Sequence, residues 1–414
     1  MKKIISYLNL FIFLAASVFA QEFSRDSYNR YTGTSTYTFK SEGHGQLVMD
    51  KITGDITISG EPVDKVKITE TISIRSSSKK VAKELYEKSK ASVSQKTEKD
   101  ELFVLVNGSQ NIRKSVSFNY TIQLPLIFSL IVNTRGGDID IGNVKGQIDI
   151  TTAGGDLDLS DISGRISATT SGGDIDVLDL QGRIFLNTSG GDVEIRRIEG
   201  DLNVRTGGGD IEVDDVRGNC SVSTGGGDIE LSDIDGREVY AKTNGGDVTA
   251  ENIDARVDLN TLGGSIEMDR INGEVDASTS GGNIEMEDMT GSVVVWTSTG
   301  SIEGNNIFGS LDAKTQVGDI IIHKLWDKNL DDHEINLKTS RGDIELTLPK
   351  NFPGNFSARS ITPNVRTHES IKSEFELNIT VTPTMSRARG TAGEGLYRVE
   401  LEANMGTITI SMEE

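Results

Sequence analysis

Between Asp138 and Gly318, apolar and polar positions return with a period of 18 residues. We take the first Asp after each Gly-Gly pair as offset 0. Copies then start at Asp138, Asp156, Asp174, Asp192, Asp210 and Asp228. One extra residue near Glu238 moves the next start to Asp247, and the spacing of 18 resumes at Ser265, Asn283, Ser301 and Asp319. Apolar residues recur at offsets 1, 3, 6, 10 and 12, as in Ile175, Val177, Leu180, Ile184 and Leu186. Steps of two are the strand period. The pattern predicts three short strands per coil, broken near offsets 4 to 5, at the offset-8 Gly and at the Gly pair.

Such a unit cannot bury its apolar face alone, so the copies must stack, each about 4.8 Å above the last. Ten coils would make a rod on the order of 50 Å long. The predicted fold is all-β, a parallel β-solenoid. The strand spacing shows no clean hexapeptide, which favours a right-handed β-helix over the left-handed form.

Offset 14 is Thr in all ten copies, from Thr152 to Thr315. A flat Thr array can bind ice, but offset 14 shares the parity of offsets 10 and 12. The hydroxyls are therefore expected inside, bonded to the turn backbone or to each other. The glycines at offsets 16 and 17 are expected to supply positive φ at a corner.

Two acidic columns have the opposite parity and face solvent. Asp fills offset 0 in seven of ten copies, and Asp or Glu fills offset 2 in nine of ten. Stacked carboxylates at this spacing repel by about 0.9 kcal/mol in bulk water before screening. Three devices would relieve this. The offset-0 Asp can accept amides of its own Gly turn. Arg165, Arg183, Arg196, Arg197, Arg217 and Arg256 can reach part of the face. Ca²⁺ can bridge neighbours through oxygen ligands. The candidate Ca²⁺ ladder is Asp138, Asp140, Asp156, Asp158, Asp174, Asp176, Asp192, Glu194, Asp210 and Glu212. No other cofactor is implied.

The ends read differently. Residues 21–133 form a β-rich N-terminal cap, with strands over Gln46–Met49, Asp55–Ser59 and Lys65–Ser73 and one helix over Lys79–Lys96. Thr53-Gly54-Asp55-Ile56 echoes the repeat. Residues 134–348 are the solenoid, with a six-residue insertion around Leu325–His333. Residues 349–414 form a C-terminal β-rich cap of irregular connections and short strands.

Residues 1–20 read as a secretion signal. Lys2 and Lys3 precede the apolar run Leu8–Leu14, and Val18-Phe19-Ala20 suits cleavage before Gln21. No stretch is apolar enough to span a bilayer, so the mature chain is expected in the periplasm, on the cell surface or outside the cell. The lone Cys220 cannot form an internal disulfide. The formal net charge of −21 argues against nucleic acid and anionic membrane as partners.

Carboxylates are everywhere, so no pair stands out as acid and base. The four histidines (His44, His323, His333, His368) lack metal-ligand spacing, and His323 and His333, which flank the insertion, read as surface residues. No enzyme is expected. Trp296, with Phe308 and Val294 in outward positions, is the candidate binding site for an envelope or extracellular ligand, glycan or protein; the structural alternative is that the insertion around Trp326 covers this patch.

Tyr120-Thr-Ile-Gln-Leu-Pro125, Asn133-Thr134, Gly137-Asp138-Ile139 and Gly342-Asp343-Ile344-Glu345-Leu346-Thr347-Leu348-Pro349 carry a resemblance. Over residues 30 to 412 the chain resembles the bacterial exported domain-of-unknown-function family labelled "putative adhesin", whose hallmark is repeated Gly-Asp-Ile in a β-solenoid. The resemblance implies fold and export, and it transfers no catalytic residue. The expected function is an adhesin-like binding or scaffold module of the cell envelope. The alternatives are a structural spacer of unknown oligomeric state and a carbohydrate-active β-helix enzyme.

Overall fold

The structure is a computed structural model that describes residues 19–20, 23–25, 29–109, 113–330, 332–361 and 370–413. The expected secretion signal falls almost wholly outside the described residues. The chain forms two compact units, residues 1–207 and 208–414. Each is a parallel β-solenoid.

In both units the strands of successive coils pair in parallel at a register of 18. Leu157 lies beside Ile175, and Ile266 beside Ile284. Offsets 1, 3, 6, 10 and 12 point inward as the parity requires. Ile175, Leu180, Ile184 and Leu186 are at most 1% exposed, and burying each such side chain is worth about 1.5–3 kcal/mol.

The expected three strands per coil are not observed. Leu157–Thr169, Ile175–Asn187 and Val193–Arg205 each run unbroken from offset 1 to offset 13. Later coils split once, as in Ile266–Asn272 and Val275–Thr279. The bend near offsets 4 to 5 is made by one residue with left-handed backbone. Asp161, Asp179, Asp233 and Asp288 have φ between 53° and 57°. A single left-handed residue turns the chain while both flanking segments keep their ladder bonds. Asp and Asn tolerate this conformation better than other side chains with a Cβ. Arg197 and Arg270 are the departures, and both bond along the stack, to Asp179 and to Asn252.

The glycine expectation also needs correction. Gly137 and Gly155 do have φ of 109° and 116°, but Gly173, Gly191, Gly264 and Gly282 do not. What excludes a side chain at offset 17 is close approach of the neighbouring coil. A Cβ on Gly264 would lie 2.0 Å from the Gly246 carbonyl oxygen. At offset 16, by contrast, a Cβ on Gly172 or Gly190 meets nothing within 4 Å.

In the first unit, parallel stacking begins ahead of residue 134. Gly45–Ile52 and Asp55–Glu61 pair in parallel with Ser129–Thr134 and Ile139–Gly142. On their other side they pair in parallel with Glu101–Asn107 and Val116–Pro125. Antiparallel strands then close the edges, Ser92–Glu98 on one and Lys65–Arg75 with Arg30–Lys40 on the other. The helix covers Lys79–Ser89 only. Ser92–Glu98, expected to continue it, is a strand, because its alternating Ser-Val-Ser-Gln-Lys-Thr pairs with Glu101–Asn107. The Ala91 amide is held by the buried Glu70 carboxylate at 2.9 Å.

In the second unit the insertion lengthens one coil by six residues. Leu311 pairs with Ile335, 24 positions on. The region after Pro349 is more regular than expected. Gly354–Ile361 pairs in parallel with Tyr397–Asn404 and antiparallel with Met385–Thr391, which pairs with Asn378–Thr382. No helix among the described residues is long and apolar enough to cross a membrane.

Candidate functional site

The outward face of offsets 0 and 2 carries the candidate metal ligands. The offset-0 carboxylates of Asp138, Asp156, Asp174, Asp210, Asp228 and Asp247 have a backbone task. Asp138 Oδ1 accepts the amide of Asp156 at 3.0 Å, Asp156 that of Asp174 at 2.9 Å, and Asp174 that of Asp192 at 2.8 Å. In the second unit Asp210, Asp228 and Asp247 accept the amides of Asp228, Asp247 and Ser265. The partner is thus the next coil, not the Asp's own Gly turn. Only an acceptor is needed, which accounts for the three copies without Asp. Ser265 Oγ, Asn283 Oδ1 and Ser301 Oγ accept the following amides at 3.0–3.2 Å.

The offset-2 side chains, Asp140, Asp158, Asp176, Glu194 and Glu212, point outward, one per coil. Partial burial, reinforced by their acidic neighbours, pushes the carboxyls of Asp158 and Asp176 above their ordinary range. Protons therefore bind this face more readily than they bind a lone Asp. Among the described residues, no group of three or more His, Cys, Asp or Glu is placed to hold a metal ion. The proposed ladder is two parallel columns that do not converge, and one of them is tied to the backbone.

Of the arginines expected to neutralise this face, Arg196 pairs with Glu194 of its own coil. Arg197 instead makes a two-pronged bond to Asp179 at offset 5, at 2.6 and 2.7 Å. Arg256 pairs with Glu274 at offset 9, away from the columns.

The Thr column is inside, 0–7% exposed from Thr152 to Thr315. From Thr170 onward each hydroxyl donates to the preceding coil's corner, whereas Thr152 bonds within its own, to Gly154. Thr188 Oγ1 donates to the Gly173 carbonyl of the preceding coil at 2.9 Å and accepts its own coil's Gly191 amide at 3.3 Å. Thr261 does the same with Gly246 and Gly264.

Trp296 and Val294 stand outward on one strand, 37% and 43% exposed. Trp296 lies in register between Ser278 and Lys314. Phe308 is half-buried, six positions away around the coil and one coil on.

The Phe308 carbonyl accepts the ammonium of Lys324 at 2.7 Å. Sequence reasoning missed Lys324. It lies beside Ile307, in the column where other coils bury an aliphatic residue. Its ammonium also reaches the Ile307 carbonyl at 3.2 Å and His333 Nδ1 at 3.4 Å. Burial pushes Lys324 down to about 7 and His333 below its ordinary value. His333, expected at the surface, is fully buried, its ring against Tyr397 and its Nε2 2.8 Å from the Asp327 carbonyl. The insertion folds back over the coil and covers it. Cys220 is also buried, its thiol pushed up to about 12.

The model of the family described as Toastrack DUF4097 matches residues 44–219, 197–293 and 289–411. No curated protein sequence matches the chain. Among solved structures, a "putative cell adhesion protein" from Clostridium sporogenes is 9% identical, with 92% of this chain and 98% of that one covered and a TM-score of 0.18. A "putative adhesin" from Parabacteroides merdae is 12% identical, with 76% and 95% covered and a TM-score of 0.23.

Proposed function

The chain belongs to the Toastrack DUF4097 family, and from that premise we propose that it is an exported, non-enzymatic, adhesin-like binding module of the bacterial cell envelope. The observation that carries this reading is the repetition of outward side chains in register, coil after coil, in each unit. A repeated face binds by adding many weak contacts, whereas a catalytic site needs a few groups converging on one bond. The offset-2 carboxylates are the repeated element that a cationic partner would meet. The offset-0 carboxylates serve the backbone and present a weaker handle.

Expression of the full chain with a C-terminal epitope, followed by cell fractionation and N-terminal sequencing, tests the address. The expected product starts at Gln21 and is found in the envelope or the medium. An uncleaved product in the cytoplasm refutes export. Intact cells or envelope fragments should then capture the purified protein without chemical change to either. Capture of nothing, with self-association of the protein, would favour a spacer.

A further inference from the structure

The second unit has another outward face, where cations and anions mix in place of the acidic columns. Offset 11 and its register partners read Tyr240, Asp258, Asp276, Val294, Asp312 and Asn336. The column beside it reads Lys242, Asn260, Ser278, Trp296, Lys314 and Lys338. Over these six coils three Lys balance three Asp, and the next strand in register adds Glu400 and Glu402, the latter paired with Lys338, so the face is far closer to neutral than the chain as a whole, with its net charge of −21. Over the same six coils, offsets 0 and 2 hold seven carboxylates and no cation.

The neutral face also carries aromatic rings. Tyr240 and Trp296 are three coils apart, about 14 Å along the stack. Between them lies a fixed polar network. Asn260 Nδ2 donates to Asp258 Oδ1 at 2.5 Å, and Ser278 Oγ donates to Asn260 Oδ1 at 2.7 Å. Past Trp296, Asp312 accepts from Lys314 at 2.7 Å and from Asn336 at 3.0 Å. Beside Val294 a hollow of about 240 Å³ is lined by Ser292, Ser310, Asn336, the carboxylates Asp312, Asp332 and Glu334, and Arg398.

We propose that this face binds an extended, uncharged glycan, with Trp296 and Tyr240 as stacking platforms and the amides, hydroxyls and carboxylates between them bonding its hydroxyls. The proposal rests on the binding-module reading and names the ligand class and the residues. A neutral, hydroxyl-rich chain suits a face of mixed and largely balanced charge, since neither a cation nor an anion gains much from it over long range. Ring faces cover the apolar C–H surface of a sugar while amphipathic edges stay wet. Polar groups already bonded to each other are held in place and lose little freedom on binding. Two platforms about 14 Å apart favour a chain of several sugars over a single one.

Native gels of the purified protein containing soluble β-glucan, α-glucan, galactomannan or arabinoxylan test this. Retardation is read against a non-binding reference protein in the same gel, because viscosity and sieving by the polymer slow every protein. At least one polymer should retard the wild type, equally at low salt and in added NaCl. Trp296→Ala should weaken the retardation at least tenfold and Tyr240→Ala several-fold. Trp296→Phe, which keeps a ring, should retain most of it and controls for folding. Glu230→Gln with Glu285→Gln should leave it unchanged.

Retardation by none of the four polymers overturns the proposal, as does retardation that survives Trp296→Ala or is lost in salt. Trp296-dependent capture of an envelope protein with no retardation would place a protein on this face instead. The gel result does not bear on the address, which fractionation decides.

Discussion

At the scale of single residues, the offset-0 Asp is a backbone ligand. Asp228→Ala removes the acceptor for the Asp247 amide and is expected to cost about 0.5–1.5 kcal/mol. Asp228→Asn keeps an acceptor, removes a charge from a repelling column and should be neutral or slightly stabilising. Urea unfolding of the two variants compares them, and equal losses would refute the ladder. Lys324 supplies a pH signature. Its folded value is about 7 against 10.5 for an ordinary Lys. Between these values the unfolded chain holds a proton that the folded chain lacks, so stability rises with pH across that window. Below about pH 7 both forms hold it and the slope vanishes. Lys324→Met should abolish this slope, which amounts to up to about 2 kcal/mol between pH 7 and 9. Parallel pH slopes for wild type and variant would show that the ammonium is not perturbed by burial.

At the scale of the coil, close approach governs the glycines. Gly264→Ala forces a Cβ to 2.0 Å from the backbone of the neighbouring coil and should cost several kcal/mol or prevent folding. Gly172→Ala meets open space and should be tolerated within about 0.5 kcal/mol. Thermal melts of the pair separate contact from conformation as the reason for the Gly-Gly pair. The period, the inward positions and the direction of the Thr hydroxyls were legible because parity alone decides them. The left-handed corner at offset 5 was also written in the chain, as a column of Asp and Asn. That column sits among so many other acids that it reads as part of a charged surface. The amide ladder was harder to see because each bond joins residues 18 apart. Its trace is the exchange of Asp for Ser265, Asn283 and Ser301, which share nothing but an acceptor. Lys324 was invisible because its coil loses one residue just ahead of it. Gly304 pairs with Ile322, 18 positions on, but Ile307 pairs with Lys324, 17 positions on. By count Lys324 therefore falls at offset 5 and not in the inward column.

At the scale of the whole chain, charge decides the response to ions. Offset 0 is occupied by backbone bonds, and offset 2 supplies at most one carboxylate per coil. Melting temperatures in Ca²⁺ and in EDTA at matched ionic strength are therefore expected to agree. Both should rise with added NaCl as the net charge of −21 is screened. A rise specific to Ca²⁺ would restore the two columns as an ion ladder.

Tyr397–Asn404 and Ile408–Glu413 lie between strands that precede them in the chain. They pair with Ile335–Thr339 and Ile344–Pro349 on one side and with Gly354–Ile361 and Ile371–Ser373 on the other. Synthesis order and stacking order therefore diverge, and this part of the second unit cannot assemble vectorially. A nascent chain that has reached residue 395 holds two unpaired edges with nothing yet made to fill the gap. Such edges invite pairing with other chains. A chain crossing a membrane as an extended thread would avoid that hazard, because its coils need not close until the filling strands have arrived.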